Sequence, residues 1–81
     1  MATVSEIIDL LLEISDDSTA TKNLKTKINH IVSILKTDSD LPLKKNKASH
    51  ELDELASTND IDSYTRTQLL GIVGALETVE E

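Results

Sequence analysis

The sequence lacks cysteine, tryptophan and phenylalanine, and its single aromatic residue is Tyr64. Without cysteine the chain can form neither a disulfide bond nor a thiolate metal site, and it has no thiol nucleophile. This absence agrees with a reducing compartment. With one aromatic ring the chain also lacks the series of stacking platforms on which single-stranded nucleic acids are usually bound.

Long hydrophobic runs are missing as well. The most apolar stretch, residues 7–14, is interrupted by Asp9 and Glu13, and no basic residue precedes it. A secretory signal needs a cationic start and an unbroken apolar core, and a membrane span needs about 20 mostly apolar residues. We therefore expect the protein to stay in the cytoplasm, where it is made, and not to associate with membranes.

Positive charge is scarce and unevenly distributed. Lysine and arginine total 8 against 15 acidic residues, which leaves a net charge of −7. Residues 1–20 contain five acids and no base, residues 21–47 contain seven lysines and two aspartates, and residues 48–81 contain eight acids and only Arg66. The molecule as a whole would repel phosphate backbones, although its basic middle could attract them locally.

The chain instead contains aliphatic residues at helical spacing. Thr3 and Glu6 have the spacing of a capping box, and the apolar residues that follow, from Val4 to Ile14, recur with the period of an α-helix. Three further stripes of this kind follow, and Pro42 stands where a helix can begin. The pattern predicts four helices: one that begins at Val4 and ends before the polar cluster 16–19, and others over about 21–35, 43–56 and 62–80.

The two halves of the chain come into register at a shift of 41 residues. Leu11 then falls on Leu52, and Ile31, Val32 and Leu35 fall on Ile72, Val73 and Leu76. A unit of about 40 residues with two helices has the size of a HEAT-type repeat. We therefore predict one all-α domain over residues 1–81. Its four helices would form two antiparallel helical hairpins related by an internal repeat, 4–35 and 45–76, like a minimal HEAT-like pair.

Several helix-end patterns, in order and spacing, resemble a known family. They comprise residues 13–17 with Lys25, then 52–55, 66–67, 72–73 and 76–77. Together they are similar to the uncharacterised archaeal protein family 0147, and the resemblance covers nearly the whole chain. It implies a small acidic helical protein and no particular activity.

One candidate interaction surface follows from surplus apolar area. The first helix has a wider apolar arc than one neighbour needs, so either it is central in the bundle or it also contacts another chain. The mid-helix glycines of the fourth segment are expected to allow close packing against another helix, or alternatively to form a docking groove. The candidate residues are Ile8, Leu10, Leu12, Leu70, Gly71 and Gly74. This surplus apolar area, in a domain too small for a large core, predicts self-association, most simply as a two-fold dimer.

The lysine-rich middle is a candidate basic patch. Nucleic-acid surfaces usually combine such charge with arginine or stacking aromatics, and both are missing from this segment. We therefore favour a solvated face, and keep binding to RNA or a ribonucleoprotein as the alternative. The candidate residues are Lys22, Lys25, Lys27, Lys44, Lys45 and Lys47.

The remaining polar residues predict no catalytic, cofactor or metal site. His30 and His50 point away from the apolar stripes and show no H-x-x-x-H spacing, so both are expected in solvent. The acids around 13–17 and at 53–54 are likewise expected to face solvent or nearby cations. Lys25 and Arg66, related by the 41-residue shift, are expected to play matching roles beside acids of the hairpin turns, Asp60 among them.

The sequence therefore defines a fold more sharply than an activity. Helical repeats of this type act by presenting surfaces, so we expect a non-enzymatic protein-interaction module with an unidentified protein partner, for which a homodimer is one option. Nucleic acid is the less favoured partner, and no cofactor is predicted.

Overall fold

A computed structural model describes residues 3–18, 20–58 and 61–79. These residues form four helices: α1 over Val4–Ser15, α2 over Lys22–Leu35, α3 over Leu41–Ala56 and α4 over Ser63–Glu77. No strand occurs in the described ranges. The predicted all-α class and the four helices are confirmed.

Three of the helices begin at a short polar side chain that accepts a hydrogen bond from a backbone N–H of the first turn. The N–H of Glu6 donates to Thr3 Oγ1 at 3.2 Å, and the N–H of Leu24 donates to Oγ1 of the equivalent Thr21 at 3.1 Å. In α4, Asp62 Oδ1 accepts from the N–H of Thr65 at 2.8 Å. Each contact satisfies one of the unpaired donors of a first helical turn, which explains why the starts are visible in the sequence.

The start of α3 and the end of α4 differ from their predicted positions, 43 and 80. α3 begins at Leu41, so Pro42 occupies its second position, where the missing N–H costs nothing. α4 ends at Glu77 because Thr78 and Val79 turn back: their N–H groups donate to the carbonyls of Ala75 and Leu76 at 3.0 and 3.1 Å. Val79 is then buried against the core. Glu80, the expected end, lies outside the described residues.

The helices pack as a closed ring. α1 packs beside α2 and α4, and α3 packs beside α2 and α4, whereas in the described residues no Cα atoms of the diagonal pairs, α1 with α3 and α2 with α4, come within 8 Å of each other. Neighbouring helices run antiparallel: His30 on α2 lies beside Glu51 on α3, while Lys44 near the start of α3 reaches Thr37 after the end of α2. This is an up-down-up-down bundle.

The apolar stripes of all four helices meet inside this ring. The most deeply buried side chains are aliphatic, because the sequence offers almost no aromatic alternative, and they fill the centre of a molecule of 32 × 19 × 18 Å. They are Ile7, Leu11, Ile28, Ile31, Leu35, Leu52, Leu69, Leu76 and Val79.

Two helix boundaries agree with the 41-residue shift, whereas α3 starts at Leu41, four residues before the position that the shift relates to Val4. The N-caps Thr21 and Asp62 are related by it, and so are the last residues of α1 and α3, Ser15 and Ala56. The ring of helices is a closed bundle rather than an open stack of layers. Whether 4–35 and 45–76 superpose as two copies of one hairpin stays a prediction.

Candidate interaction surface

A surface groove of about 290 Å³ runs between α1 and α4. Leu10 forms part of its α1 side and Tyr64 part of its α4 side, with exposed fractions of 40% and 69%. We call this feature the α1–α4 groove. Its described lining residues are Leu10, Glu13, Ile14, Asp17, Tyr64, Gln68, Gly71 and Ile72. It combines an apolar floor with an exposed aromatic ring and two carboxylates.

The structure brings only part of the predicted surface together. Leu10 and Gly71 share the α1–α4 groove. Leu12, 37% exposed, lies two residues after Leu10, about 200° further round the helix, and therefore on the other flank of α1. Ile8 is half-buried and packs against the core. One face of α1 thus carries the groove, while the rest of its surplus apolar area lies elsewhere.

Leu70 and the glycines of α4 occupy different surroundings. Leu70 is 50% exposed and does not line the α1–α4 groove. A Cβ atom on Gly71 or Gly74 would meet no heavy atom within 4 Å outside its own helix and chain neighbours. The expectation that these glycines allow close helix packing is therefore wrong, because no neighbouring helix approaches them.

Tyr64 and Gln68 are groove residues that the sequence analysis did not select. They lie one turn apart on α4, which places them on the same side of the helix. A signal for Tyr64 was present, since the only aromatic residue of the chain falls off the apolar stripe of its helix. An off-stripe aromatic in an otherwise aliphatic sequence indicates a surface role.

The six lysines of the predicted basic patch separate into two groups. Lys22, Lys25 and Lys27 lie in the first half of α2, and Lys27 shares a small pocket with Leu55 and Thr58 at the end of α3. The other three, Lys44, Lys45 and Lys47, lie in the first half of α3. Since the two helices are antiparallel, the groups sit toward opposite ends of the α2–α3 pair.

Two of these lysines bind backbone carbonyls. Lys45 Nζ donates to the carbonyl of Val79 at 2.6 Å and to that of Glu77 at 3.3 Å, while Lys44 Nζ donates to the carbonyl of Thr37 at 3.2 Å. Cations are favourable at the carbonyl ends of helices because those oxygens carry partial negative charge. Lys44 and Lys45 thus have structural partners at the ends of α2 and α4.

Arg66 performs a similar task at the α3–α4 turn. Its Nε donates to the carbonyl of Ala56 at 2.8 Å, and its Nη2 donates to those of Thr58 and Ile61, both at 3.2 Å. Lys25 donates its backbone N–H to the carbonyl of Thr21, and its side chain makes no such carbonyl contact among the described residues. Arg66 lies near the turn acid Asp62, as expected, but its hydrogen bonds to carbonyls have no counterpart at Lys25, and Asp60 lies outside the described ranges.

The carboxyl group that Arg66 influences is the N-cap Asp62. The backbone N–H of Thr65 and then its side chain hydrogen-bond to this carboxylate and favour its charged form, and the Arg66 guanidinium adds attraction. These effects outweigh the small cost of desolvation and hold the pKa of Asp62 below its ordinary value. The cap is thus strongest in its ionised state.

Both histidines are exposed, as predicted, but neither is isolated. His30 Nε2 lies 3.5 Å from Glu51 Oε1 across the α2–α3 interface, and His50 Nε2 lies 3.3 Å from Glu54 Oε1 one turn further along α3. The sequence analysis missed this arrangement because His30 belongs to a different helix. The acidic residues at 13, 16, 17 and 53, which were predicted to face solvent or nearby cations, are exposed.

The described residues thus form an antiparallel four-helix bundle with an apolar-acidic groove between α1 and α4 and with lysine and arginine side chains bound to carbonyls near its helix ends. The sequence profile of the Uncharacterised protein family (UPF0147) matches residues 1–79, and the chain belongs to this family. No helix among the described residues is long and apolar enough to cross a bilayer.

One solved structure shows the same fold. It is the crystal structure of the unknown function protein MMP1188, with a TM-score of 0.86 and 28% sequence identity. The match covers 96% of this chain and 90% of that one. A search of curated proteins found no match. The relatives therefore support the fold, and the function must be inferred from the surface.

Proposed function

We propose that this protein is a non-enzymatic interaction module whose α1–α4 groove binds a basic, apolar segment of a partner protein. The observation that carries the proposal is Tyr64, the only aromatic side chain, which stands 69% exposed at the groove opposite the exposed Leu10. Aromatic rings that are free in a monomer are favourable binding anchors because they bury a large area with few rotatable bonds.

The groove has room for such a segment. Leu10, Ile14 and Ile72 supply apolar lining, and Gly71 leaves the α4 side open because it has no side chain. A volume of about 290 Å³ can hold one or two apolar side chains of a peptide, not a large cofactor. None of the described lining residues is a histidine, lysine or arginine, which supports binding rather than catalysis.

Charge complementarity specifies the partner. Glu13 and Asp17 line the groove, and the exposed Glu6 and Asp9 continue the acidic series along α1. With a net charge of −7, the molecule attracts basic partners and repels acidic ones. A second copy would place the same acidic groove edge against itself in a two-fold contact, so a basic segment of another protein fits better.

RNA is the less favoured partner. The lysines that could contact phosphates sit in two groups toward opposite ends of α2 and α3, and the side chains of Lys44 and Lys45 already contact backbone carbonyls. The only exposed aromatic ring lies in the acidic groove, where phosphates would be repelled.

A peptide-display selection on the purified protein tests the proposal. We expect the enriched peptides to combine lysine or arginine with one or two large apolar residues, and to compete for one site. Their synthetic versions should lose affinity by about tenfold or more on Leu10→Ser or Tyr64→Ser, because each change removes an anchor of the groove.

Leu70→Ser is the matched control, since Leu70 is 50% exposed on α4 but lies outside the groove lining. The affinity of this variant for the peptides should stay within about threefold of wild type. Peptides that are acidic, or that bind Tyr64→Ser as well as wild type, would contradict the proposal. Sedimentation equilibrium separates the remaining alternative: a dimer that Tyr64→Ser converts to a monomer would show that the occupant is a second copy.

A further inference from the structure

The α2–α3 side of the bundle, across the molecule from the α1–α4 groove, carries the only two histidines of the chain together with two glutamates. On α3, His50 and Glu54 are four residues apart and Glu51 and Glu54 are three apart, so Glu54 lies one turn after both His50 and Glu51 and next to each of them. Their nitrogen and oxygen atoms lie within 4.8 Å of one another.

The neighbouring helix adds a fourth donor. His30 on α2 places its Nε2 3.5 Å from Oε1 of Glu51, which is the least exposed member of the cluster with 28% of its side chain accessible. Glu51 therefore contacts α2 directly while it also belongs to the α3 set. The four groups bridge the α2–α3 interface, although they come from positions 30 and 50–54 of the sequence.

We propose that His30, His50, Glu51 and Glu54 form a surface site for a borderline divalent transition metal ion, with Zn²⁺ as the representative. Two imidazole nitrogens and two carboxylate oxygens are a donor set that suits Zn²⁺, Co²⁺ or Ni²⁺, whereas Mg²⁺ and Ca²⁺ prefer oxygen donors alone. The i, i+4 spacing of His50 and Glu54 is the spacing by which one helix face supplies two ligands.

The α3 part of the site requires only small adjustment. Ligands bound to one Zn²⁺ at about 2.0–2.2 Å lie about 3–4 Å apart, so the donor atoms of His50, Glu51 and Glu54, which lie within 4.8 Å of one another, have to close by about 1 Å. His30, now in contact with Glu51, would join them by rotation of its exposed side chain. His30, His50 and Glu54 are exposed by 59%, 72% and 63%, which leaves their rotamers free to do so. Lys47, one turn before His50 and Glu51, adds a positive charge to this face of α3 and lowers the affinity.

A metal-free interpretation is that the contacts are ordinary surface ion pairs between histidine and glutamate. The two interpretations respond oppositely to acid. Such an ion pair forms only with a protonated imidazole, whereas a metal ion needs the neutral imidazole and is displaced by protons. Zn²⁺ binding should therefore weaken from pH 7 to pH 5, because protons compete with the metal ion for its ligands.

Titration of the full chain with ZnCl₂ tests the site by calorimetry and by proton NMR, in which the two histidines give the only imidazole signals. We expect one Zn²⁺ per chain, with both imidazole signals shifted together and the melting temperature raised because the ion links α2 to α3. His30→Ala, His50→Ala and Glu51→Gln should each weaken binding by about tenfold or more, because each removes one of four ligands.

Glu13→Gln is the control, since it removes an exposed carboxylate from α1 and should leave Zn²⁺ affinity unchanged. CoCl₂ provides a second readout, because its visible absorption distinguishes a four-coordinate site from loosely bound hexaaquo ion. The proposal would be overturned if His30→Ala bound Zn²⁺ as tightly as wild type, or if binding were as tight at pH 5 as at pH 7. It would also be overturned if Glu13→Gln weakened binding as much as Glu51→Gln does.

Discussion

Arg66 is the residue whose role differs most from its appearance in the sequence. Its guanidinium is only partly exposed and donates three hydrogen bonds to carbonyls of the α3 end and the following turn. Hydrogen bonds from a charged donor contribute more than neutral ones. Arg66 therefore fixes the angle at which α4 leaves α3.

Replacement of Arg66 by alanine should lower the free energy of unfolding by about 2 kcal/mol, because three carbonyls lose a charged donor at once. Lys25→Ala, at the position related by the 41-residue shift, is the control. It should change stability by less than about 0.5 kcal/mol, since the Lys25 side chain makes none of the carbonyl contacts that Arg66 makes. Urea unfolding monitored by circular dichroism measures both. Equal losses would show that the carbonyl contacts do not matter.

The sequence could not show the partners of Arg66. They are backbone oxygens, which every residue carries, so the side-chain sequence contains no trace of them. Lys25 and Arg66 both lie four residues after an N-cap, Thr21 and Asp62, yet only Arg66 donates its side-chain hydrogen bonds to carbonyls in the described residues. A duplicated pattern therefore predicts equivalent location and not equivalent contact.

Asp62 gives α4 a start that depends on pH. Its pKa is lowered in the folded protein, so its ionised form stabilises the fold at neutral pH, and this contribution is lost as the pH falls through the lowered pKa. Asp62→Ala should therefore melt below wild type at pH 7, and the two should converge in strong acid. Thermal melts across the acid range measure the difference.

The N-cap of α2 provides the control for this pH dependence. Thr21 holds the corresponding place but carries no titratable group, so Thr21→Ala should cost about 1 kcal/mol at every pH at which the protein is folded. If the deficit of Asp62→Ala stayed as constant as that of Thr21→Ala, ionisation of the cap would have no part in its effect.

At the scale of the helices, α4 contains two glycines that cost stability without serving its packing. Gly74→Ala should raise the free energy of unfolding by about 0.5–1 kcal/mol. The new Cβ atom meets open space in the folded protein, and alanine has fewer backbone conformations than glycine in the unfolded chain, so less entropy is lost on folding. Gly71→Ala should stabilise by a similar amount, while its methyl group narrows the α1–α4 groove.

The two glycine substitutions thus separate stability from binding. Peptides selected on the groove should bind Gly74→Ala as they bind wild type and should bind Gly71→Ala less well. Melting experiments and peptide titrations on the same preparations measure both quantities. A loss of stability in either variant would show a backbone contact that the open space at these positions does not suggest.

The helices themselves were predictable because their causes are local. Apolar residues at spacings of three and four define the buried stripes, and Thr3, Thr21 and Asp62 mark the starts. The groove was predictable only in part. Leu10 and Gly71 were identified as surplus apolar and small residues, but their meeting depends on how α1 and α4 are rotated against each other, which helical period alone does not specify.

At the scale of the whole molecule, the two hairpins are expected to superpose. Residues 4–35 and 45–76 should overlay with a shift of 41, since the buried pairs Leu11 with Leu52, Ile28 with Leu69 and Leu35 with Leu76 are related by it. A high-resolution experimental structure decides the matter: a best overlay at another shift, or grossly different helix crossing angles, would rule out a duplicated hairpin.

The closure of the ring has a consequence for how the protein folds and opens. Contacts between α1 and α2, α2 and α3, and α3 and α4 join neighbours along the chain, whereas the contact between α1 and α4 joins the two helices that are furthest apart in the sequence. Contacts between distant segments carry the largest loop-closure cost, so this seam should form last and separate first. We expect hydrogen exchange to show earlier opening along α1 than along α3.

The α1–α4 groove lies along this seam. A segment bound between Leu10 and Tyr64 contacts both α1 and α4, the pair of helices whose contact is expected to form last. Its binding should therefore stabilise the folded protein against separation of these two helices. Slower exchange of α1 amides in the presence of a groove-binding peptide, unchanged in Tyr64→Ser, would be its signature.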